Sequence, residues 1–344
     1  MPYEVTIGIP VYNVEKYIRQ TLDSALAQSF NSIEFLICDD CGTDSSIEIV
    51  KEYQFNHPRG KDIRIVKQHE NMGVGCARNL IIEEALSEYI FFMDSDDLIV
   101  EDAIDSLYKY AKKYDADIVY GSMEKILVYD NNKRFKNIDY PLLSFVREDE
   151  FAQYAYRKYD SIQASSCNYL IKLDVYRNNN LRYLPINYWE DMAMSIDLPI
   201  YISRAVLLPD VTYYYICRSG SLSNYQKREH IEKDEVLQTI QAITMIKDHS
   251  DIFLHKPYFS SRMLKVMMTC FYVCCTVLRN RDKISPEFES RELRDFMRYP
   301  ISFGHVFTFN YHCWTHIILY IIGILPPSLS VALIRLIGKV KHLI

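Results

Sequence analysis

Short apolar runs alternate with amphipathic segments through the first third of the chain. The runs are rich in β-branched and aromatic residues and predict strands at Val5–Ile9, Phe35–Cys38, Ile63–Lys67 and Tyr89–Met93. Between and after them, apolar residues recur at helical spacing around residues 17–26, 74–86 and 103–110. This alternation predicts an α/β fold with a mostly parallel sheet and helices on both of its faces.

Polar segments directly follow three of these predicted strands. They read PVYN at 10–13, DDCGTD at 39–44 and DSDD at 94–97. In open parallel sheets, ligands bind outside the carboxyl ends of the strands. We therefore expect the three segments to meet in one crevice, which would be the functional site.

The middle of the chain is less regular. Segment 129–137 (YDNNKRFKN) predicts a solvated loop, and segment 189–201 (WEDMAMSIDLPIY) predicts the start of a short helix. Segment 205–216 (AVLLPDVTYYYI) predicts two short strands joined by a turn at Pro209-Asp210. These elements extend the first domain beyond the alternating region.

The last third of the chain has helical periodicity. Apolar residues repeat at that spacing over residues 231–246, 263–278 and 287–297. We therefore predict one α/β domain over residues 1–220, followed by a helical C-terminal region over residues 221–344.

The tail, residues 311–344, is apolar but interrupted. Ile317–Leu325 is almost continuously apolar, Pro326-Pro327 breaks the pattern, and a second apolar segment then ends in lysines. Each half is too short to cross about 30 Å of hydrocarbon as a helix. An anchor lying on an anionic membrane surface is one interpretation of this pattern. A pair of core helices and a dimer interface are the alternatives.

Composition narrows the classes of function. The chain has 344 residues, 39 of them basic and 45 acidic, and its net charge of -6 argues against a nucleic-acid-binding protein. Nine cysteines are scattered through it, and the C-x-x-C pair at Cys38 and Cys41 has no second pair at zinc-finger spacing. We expect free thiols in a reducing compartment. The first residues lack the basic start and apolar run of a signal peptide, which favours a cytoplasmic location.

The carboxylates of the DSDD segment suggest a metal site. In extended chain Asp94 and Asp96 point to one side, whereas Asp97 points to the other. Paired carboxylates suit Mg²⁺ or Mn²⁺, which keep open positions for diphosphate oxygens. A solvated turn would explain the same residues. A phosphatase of the haloacid-dehalogenase type is disfavoured. Such enzymes usually carry these aspartates after their first strand, whereas here they follow the fourth, and Leu98 stands where those enzymes usually have threonine or valine.

The other two polar segments also have structural and binding interpretations. Asn13 could cap a helix that begins near Val14, and polar groups around Asp39-Asp40 could cap a helix that begins at Ser45. A carboxylate at this sheet edge could also accept the imide N–H of uracil. The segment NMGVGCARN, which contains Arg78, has neither the glycine spacing of a dinucleotide fold nor that of a P-loop.

Five motifs in order carry a family resemblance. IPVYNVEKYIRQTLDSALAQSF, IEFLICDDCGTDSS, NMGVGCARN, YIFFMDSDD and WEDMAM follow one another at the usual spacing. The sequence is similar to the large family-2 glycosyltransferases with a GT-A fold, of the type that builds bacterial surface polysaccharides. The resemblance covers residues 3–120 and, less closely, 160–225, and it implies a Rossmann-like sheet followed by a helical C-terminal region.

The resemblance implies roles for individual residues. Asp40 would bind the uracil edge, Asp94 would lie near the ribose and the metal, and Asp96 would ligate the metal. Asp191 would be the catalytic base. The residues expected on the nucleotide-sugar side are Pro10, Tyr12, Asn13, Asp40, Arg78, Asp94, Ser95 and Arg218, and those on the acceptor side are Trp189 and Glu190.

Two departures from the family pattern are visible. The usual turn reads D-D-G-S-T-D, but this chain has Cys41 and Gly42 where the family has glycine and serine. Ile216 stands where an arginine is common, while Arg218 remains. These departures leave both aspartates of the turn in place and weaken the case for a phosphate contact by Arg218.

The implied function is transfer of a sugar with inversion at its anomeric carbon. The donor would be a nucleotide-sugar with UDP, the cofactor Mn²⁺ or Mg²⁺, and the acceptor a hydroxyl of a glycan or a lipid-linked glycan. We expect this reaction at the cytosolic face of a membrane. The alternatives are a hydrolase of sugar nucleotides or phosphate esters, and a non-catalytic assembly protein that binds a nucleotide-sugar.

Overall fold

The computed structural model describes residues 2–128, 130, 132–158, 165–186, 189–218 and 229–344. This part of the chain forms two compact units. The first contains residues 2–128, 130, 132–151, 165–185 and 198–218, and the second contains residues 152–158, 186, 189–197 and 229–344. The units therefore interleave along the chain, whereas we predicted one division after residue 220. That position lies outside the described residues.

The elements up to residue 217 include all four predicted strands of the alternating region. In chain order they are β1 Tyr3–Val11, α1 Ile18–Leu26, β2 Ile33–Asp39, α2 Ser46–Asn56, β3 Ile63–Lys67, α3 Val74–Glu84, β4 Ser87–Phe92, β5 Leu98–Ile99, α4 Ala103–Tyr114, β6 Ile118–Leu127, β7 Lys133–Ile138, β8 Leu143–Phe145, α5 Glu150–Arg157, β9 Tyr169–Lys172, α6 Leu173–Asn178, α7 Glu190–Asp197 and β10 Ala205–Cys217. The remaining elements are β11 Ile231–Glu232, α8 Lys233–Asp248, α9 Phe259–Arg279, β12 Ile284–Ser285, α10 Ser290–Phe296, α11 Phe303–Val306, α12 Cys313–Ile324 and α13 Pro327–Val340.

One large sheet forms the first unit, with the strand order β3-β2-β1-β4-β9-β6-β10-β5. Its half β3-β2-β1-β4 is parallel, β9 joins antiparallel to both β4 and β6, and β10 runs parallel to β6. β2 is buried along its whole length, as expected for a strand that is covered on both faces. The α/β class with a mostly parallel sheet is confirmed.

Helices cover both faces of β1 because its side chains alternate. Val5, Ile7 and Ile9 join the apolar cluster that contains the buried side of α1. On the opposite face, a Cβ at Gly8 would lie 2.6 Å from Cγ2 of Ile81 in α3. Glycine at this position therefore lets α3 approach the centre of the sheet.

Two predicted elements of the middle region are wrong. Pro209 and Asp210 do not form a turn between two strands, because β10 continues through them with register shifts near Leu207 and Val211. A proline can remain in such a strand at a bulge, where no ladder hydrogen bond is needed. The predicted loop at 129–137 contains β7, an exposed strand that pairs with β6; its residues 129 and 131 lie outside the described residues.

α9 is the central helix of the second unit. It is long and apolar enough to cross a membrane, but 72% of its most apolar 18-residue window is buried inside the protein. α12 and α13, the two halves of the tail, contact α9 and α10. They bury Leu319 and Ile322 from α12 and Val331 and Ile334 from α13. The Pro326-Pro327 break separates the two helices, as predicted, with Pro327 as the first residue of α13.

Candidate functional site

The loop Asp94–Asp97 follows β4 at the carboxyl edge of the sheet, and Asp97 fixes it in place. The Tyr213 hydroxyl donates to Oδ2 of Asp97 at 2.9 Å, and the N–H of Ile216 donates to Oδ1 at 2.7 Å. The same Tyr213 oxygen accepts the N–H of Asp94 at 3.1 Å. Since Asp97 is only 2% exposed, its role is to tie this loop to β10.

Helix α1 holds the other side of the same loop. The Thr21 hydroxyl lies 3.0 Å from the carbonyl oxygens of both Ser95 and Asp97. Ser95 is buried, so its backbone is part of the frame of the loop. Asp94 and Asp96 remain partly exposed.

Asp94 and Asp96 each contact an arginine. Nη2 of Arg78, a buried residue of α3, lies 3.0 Å from Oδ1 of Asp94. Arg218, which follows β10, donates from Nη1 to Oδ2 of Asp96 at 2.7 Å and from Nη2 to its carbonyl oxygen at 2.6 Å. The centre of the Arg218 guanidinium lies 3.8 Å from the ring centroid of Tyr17, within the range of a cation–π contact.

Burial dominates the electrostatics of this loop. It raises the pKa of Asp96 above the ordinary value, Asp94 raises it further, and the contact with Arg218 does not fully offset these effects. Burial, followed by the charges of Asp94 and Asp96, raises the pKa of Asp97 well above its ordinary range. The loop therefore concentrates negative charge where water cannot solvate it well.

The donor set of the loop fits a divalent cation whose coordination a ligand completes. Among the described residues, no group of three or more His, Cys, Asp and Glu side chains has metal-binding geometry. Asp94 and Asp96 offer two carboxylates, and Mg²⁺ sites commonly use one or two carboxylates together with substrate phosphates. Because Arg218 is bonded to an oxygen of Asp96, a cation would have to compete with it there.

Asp40 directly follows β2, which β1 separates from β4 in the sheet, and its orientation is fixed. Its Oδ1 accepts from Nε2 of Gln68 at 2.9 Å and from the N–H of Met72 at 3.0 Å. Burial raises its pKa, although these hydrogen bonds act in the opposite direction. Asp40 is thus a buried, oriented acceptor, as a contact with a polar N–H group requires.

Asn13 does not cap a helix, contrary to our prediction. α1 begins only at Ile18, and Oδ1 of Asn13 accepts the N–H of Thr43 at 2.7 Å. Its left-handed backbone, with φ of 52°, turns the chain toward the segment after β2. Pro10 lies at the buried end of β1, and Tyr12 beside Asn13 is 46% exposed and available for contact.

The segments that follow β1 and β2 are joined by further hydrogen bonds. Oδ2 of Asp44 accepts the N–H of Glu15 at 2.9 Å, while Oδ1 accepts the N–H of Ser46 at 3.0 Å in the first turn of α2. Asp44 thus binds the first N–H of α2, whereas the N-cap residue, Ser45, makes no side-chain cap hydrogen bond. The two polar segments meet at one edge, as the strand order predicted.

The structure explains why Gly42 stands in the turn after β2, where the family pattern has serine. Cys41 adopts φ of 59°, a left-handed conformation that glycine adopts without strain. A Cβ at Gly42 would lie 3.0 Å from Oδ1 of Asn13. The glycine in this chain thus leaves room for Asn13, while the neighbouring Cys41 takes the strained conformation.

The expected acceptor-side residues and the expected base lie in the second unit, at the start of α7. Glu190 is buried, and Asp191 lies in the first turn of the helix with its Oδ1 2.7 Å from the N–H of Met192. Trp189 has φ of 69°, which is rare for a bulky residue and is found mainly at functional or strained positions. Carboxylates are stabilised at a helix N-terminus.

Three residues of the site were missed from the sequence. Gln68 directly follows β3 at the same sheet edge, so the rule applied to the other strand ends would have found it. Tyr17 and Tyr213 gave no local signal, because their partners Arg218 and Asp97 are distant in sequence.

Two curated relatives are glycosyltransferases of Streptococcus pneumoniae serotype 4. Glycosyltransferase GlyG is 27% identical over 231 residues, which are 63% of this chain and 72% of GlyG. Glycosyltransferase GlyA is 40% identical over 120 residues, which are 35% of this chain but only 16% of GlyA. The matched part of the chain thus corresponds to a small part of GlyA.

A solved structure extends the likeness over nearly the whole chain. The crystal structure of S. aureus TarS 1–349 in complex with UDP-GlcNAc matches with a TM-score of 0.67 and 16% identity, covering 98% of this chain and 91% of that chain. At this identity the likeness shows the fold. The family model described as Glycosyl transferase family 2 matches residues 6–177, which are half of the 344 residues. The chain therefore belongs to glycosyl transferase family 2 and is a glycosyltransferase.

Proposed function

We propose that the protein transfers a sugar from a UDP-sugar to a hydroxyl of a glycan or lipid-linked acceptor, with inversion, in polysaccharide biosynthesis. The observation that carries the proposal is the meeting of the segments after β1, β2 and β4 at one sheet edge. Family membership supplies the reaction class, and the UDP-GlcNAc bound by TarS supports a nucleotide-sugar donor of this kind.

The nucleotide would lie along this edge of the first unit. Asp40, held by Gln68, would accept the imide N–H of uracil, and Pro10, Tyr12 and Asn13 would contact the nucleotide. Asp94, held by Arg78, would lie near the ribose and the metal, with Ser95 beside it. Asp96 would then be the direct metal ligand.

Each side chain then has a defined task in the transfer. Asp191 takes the proton of the acceptor hydroxyl as that oxygen bonds to the anomeric carbon. On the opposite side the bond to the diphosphate oxygen breaks, and Arg218 can donate N–H groups to the departing diphosphate. A divalent cation held by Asp96 would supply Lewis-acid stabilisation of the negative charge on that diphosphate. Trp189 and Glu190 would orient the acceptor.

A donor screen tests this function. The protein is incubated with UDP-, GDP- and dTDP-sugars and Mn²⁺, and nucleotide release is measured with and without glycan acceptors. We expect acceptor-dependent UDP release. Activity only with GDP or dTDP donors would remove the uracil role of Asp40, and phosphate release from simple esters without sugar transfer would instead support the hydrolase.

Replacement of the proposed base tests the chemistry. Asp191→Asn should lower kcat about 10³-fold, within the usual contribution of a general base, and leave UDP affinity within about twofold. Asp174→Asn, at the exposed start of α6, is a control of the same chemistry. Unchanged sugar transfer by Asp191→Asn would refute the assignment.

We also propose that the tail hairpin, defined as α12 and α13, lies on an anionic membrane surface. Trp314, Ile318, Ile321 and Ile324 are exposed at helical spacing along one face of α12, and Trp314 is 79% exposed. Leu329, Leu336 and Val340 are exposed on α13. Exposed apolar side chains that recur along one face of a helix indicate an interaction site on a folded protein.

The charge of the tail favours an anionic bilayer as the partner. Residues 299–344 contain Arg335, Lys339 and Lys341 and no aspartate or glutamate. Lysine and arginine near an anionic leaflet each add about 1 kcal/mol of attraction. Flotation on vesicles, with the variants described in the Discussion, is the corresponding measurement.

A further inference from the structure

Three contacts hold the guanidinium of Arg218 beside Asp96. Its guanidinium bonds the carboxylate Oδ2 and the carbonyl oxygen of Asp96 at 2.7 and 2.6 Å, and it stacks 3.8 Å from the ring centroid of Tyr17. A guanidinium with both donor nitrogens engaged and one face on an aromatic ring has a fixed position. Arg218 thus occupies the cation position beside Asp96.

The second arginine of the loop has a different environment. Arg78 is buried in α3, next to Asp94 and 5.4 Å from the ring centroid of Tyr183. Arg218 follows the end of β10, and 14% of its side chain is exposed. Of the two, Arg218 is therefore the one with access to an arriving ligand.

A divalent cation on Asp96 would compete with the present contact of Arg218, which engages one of the two carboxylate oxygens. A metal would bind a carboxylate oxygen at about 2.1 Å and repel a guanidinium that bonds the same carboxylate. A nucleoside diphosphate offers several anionic oxygens, to which an arginine binds as readily as to a carboxylate. It therefore provides a second partner for the guanidinium.

We propose that Arg218 blocks the metal position on Asp96 until a nucleoside diphosphate draws it away, so that metal and nucleotide bind cooperatively. Tyr17 acts as the positioning residue that holds the guanidinium over Asp96. This inference rests on the proposed function, because it takes a nucleoside diphosphate as the ligand. Coupling of this kind is reciprocal, so the metal must also tighten nucleotide binding.

Mn²⁺ binding measured by calorimetry tests the proposal without turnover. Mn²⁺ alone should bind wild-type protein weakly, and Arg218→Gln should bind it about tenfold more tightly. With UDP present, the affinity of wild-type protein should rise more than that of the variant, after correction for Mn²⁺ bound by free UDP. Arg19→Gln, which removes an exposed arginine paired with Glu52, should behave as wild type.

Tyr17→Leu is a second variant that keeps Arg218. It should raise the affinity for Mn²⁺ alone about threefold, and its thermal unfolding shows whether the fold is kept. Equal Mn²⁺ affinities of wild type and Arg218→Gln without UDP would overturn the inference while leaving the proposed transfer intact. Absence of Mn²⁺ binding by all proteins, with and without UDP, would overturn the inference and the metal role of Asp96, but the donor screen would still decide the transfer.

Discussion

The loop Asp94–Asp97 and the tail hairpin depart from the usual distribution of residues in opposite directions. The loop draws carboxylates into the protein, where Tyr213, Arg78 and Arg218 contact them. The hairpin instead turns apolar side chains such as Trp314 outward. The carboxylates of a buried polar cluster bind a ligand by exchanging their protein partners for it. An exposed apolar face instead binds a partner outside the chain.

The largest difference between the two regions should appear in their effects on the kcat of sugar transfer. Asp96→Asn removes the charge that we propose to hold the metal, and we expect kcat with a soluble acceptor to fall about 10²- to 10³-fold. Substitution of Leu336 in the hairpin by Asp should leave this kcat unchanged. Initial rates of UDP release at saturating donor measure both effects.

A matched control shows whether loss of any carboxylate in the first unit lowers the rate. Asp139→Asn removes a carboxylate from an exposed ion pair with Lys136 in the same unit and should keep full activity. If Asp96→Asn retained more than half of the wild-type rate, the loop would not be the metal side of the reaction.

Within the loop, the neighbouring residues Asp96 and Asp97 should differ in how much each contributes to the unfolding free energy of the protein. Asp97→Ala leaves the buried N–H of Ile216 and the Tyr213 hydroxyl without their acceptor, and we expect a loss of about 2–3 kcal/mol of unfolding free energy. Asp96→Ala should cost less than about 1 kcal/mol, since its side chain is partly exposed. Urea unfolding measures both values. Equal losses would mean that Asp97 is not the structural member of the pair.

Local patterns along the chain predicted the alternating half of the molecule well. The strands β1 to β4 and helices α3 and α4 lie where apolar periodicity placed them. Asp97 does differ from Asp94 and Asp96, but not through the alternation of an extended chain, because the segment turns and the N–H of Asp97 bonds the carbonyl oxygen of Asp94. The middle region failed for local reasons. A polar, exposed strand such as β7 has no apolar signal, and the bulge in β10 places Pro209 where a turn is the usual interpretation.

The partners within the site could not be predicted, because they are distant in sequence. Asp96 and Arg218 are 122 residues apart, and Tyr213 is 116 residues from Asp97. Motif positions show that such residues matter, but only the folded sheet shows which of them meet. The exposed face of the hairpin was foreseen as apolar, but the burial of Val331 and Ile334 was needed to decide which side points outward.

In the hairpin, membrane binding should depend on the outward face. Ile318→Asp combined with Leu336→Asp should weaken binding to vesicles of phosphatidylglycerol and phosphatidylcholine about 30-fold, since two partly inserted side chains contribute roughly 1 kcal/mol each. Phe55→Asp, at an 89% exposed position in the first unit, is the control and should bind as wild type. Flotation measures the bound fraction.

Two other results of the flotation experiment would contradict the membrane proposal. Equal flotation of wild type and the double variant would show that the hairpin is not the contact. A wild-type dimer that the double variant converts to monomers, without vesicle binding by either, would identify the face as an interface between two copies of this chain. Vesicles of phosphatidylcholine alone should bind wild type less, because the basic residues then lack anionic partners.

The last prediction concerns the pH dependence that the buried loop adds to stability. Burial raises the pKa of Asp97 in the folded protein, so between about pH 4 and that raised pKa the unfolded chain ionises first. Over this window stability should fall as pH rises, by up to about 1.4 kcal/mol per pH unit from this residue.

Asp97→Asn removes the titration and keeps an acceptor for Ile216, so the difference in unfolding free energy between wild type and variant should shift in favour of the variant as pH rises. Urea titrations across this range measure that difference, and a constant difference would show that Asp97 has the same pKa in the folded and unfolded chain. Trp314→Ala, which neither removes nor adds a titrating group, should run parallel to wild type at every pH.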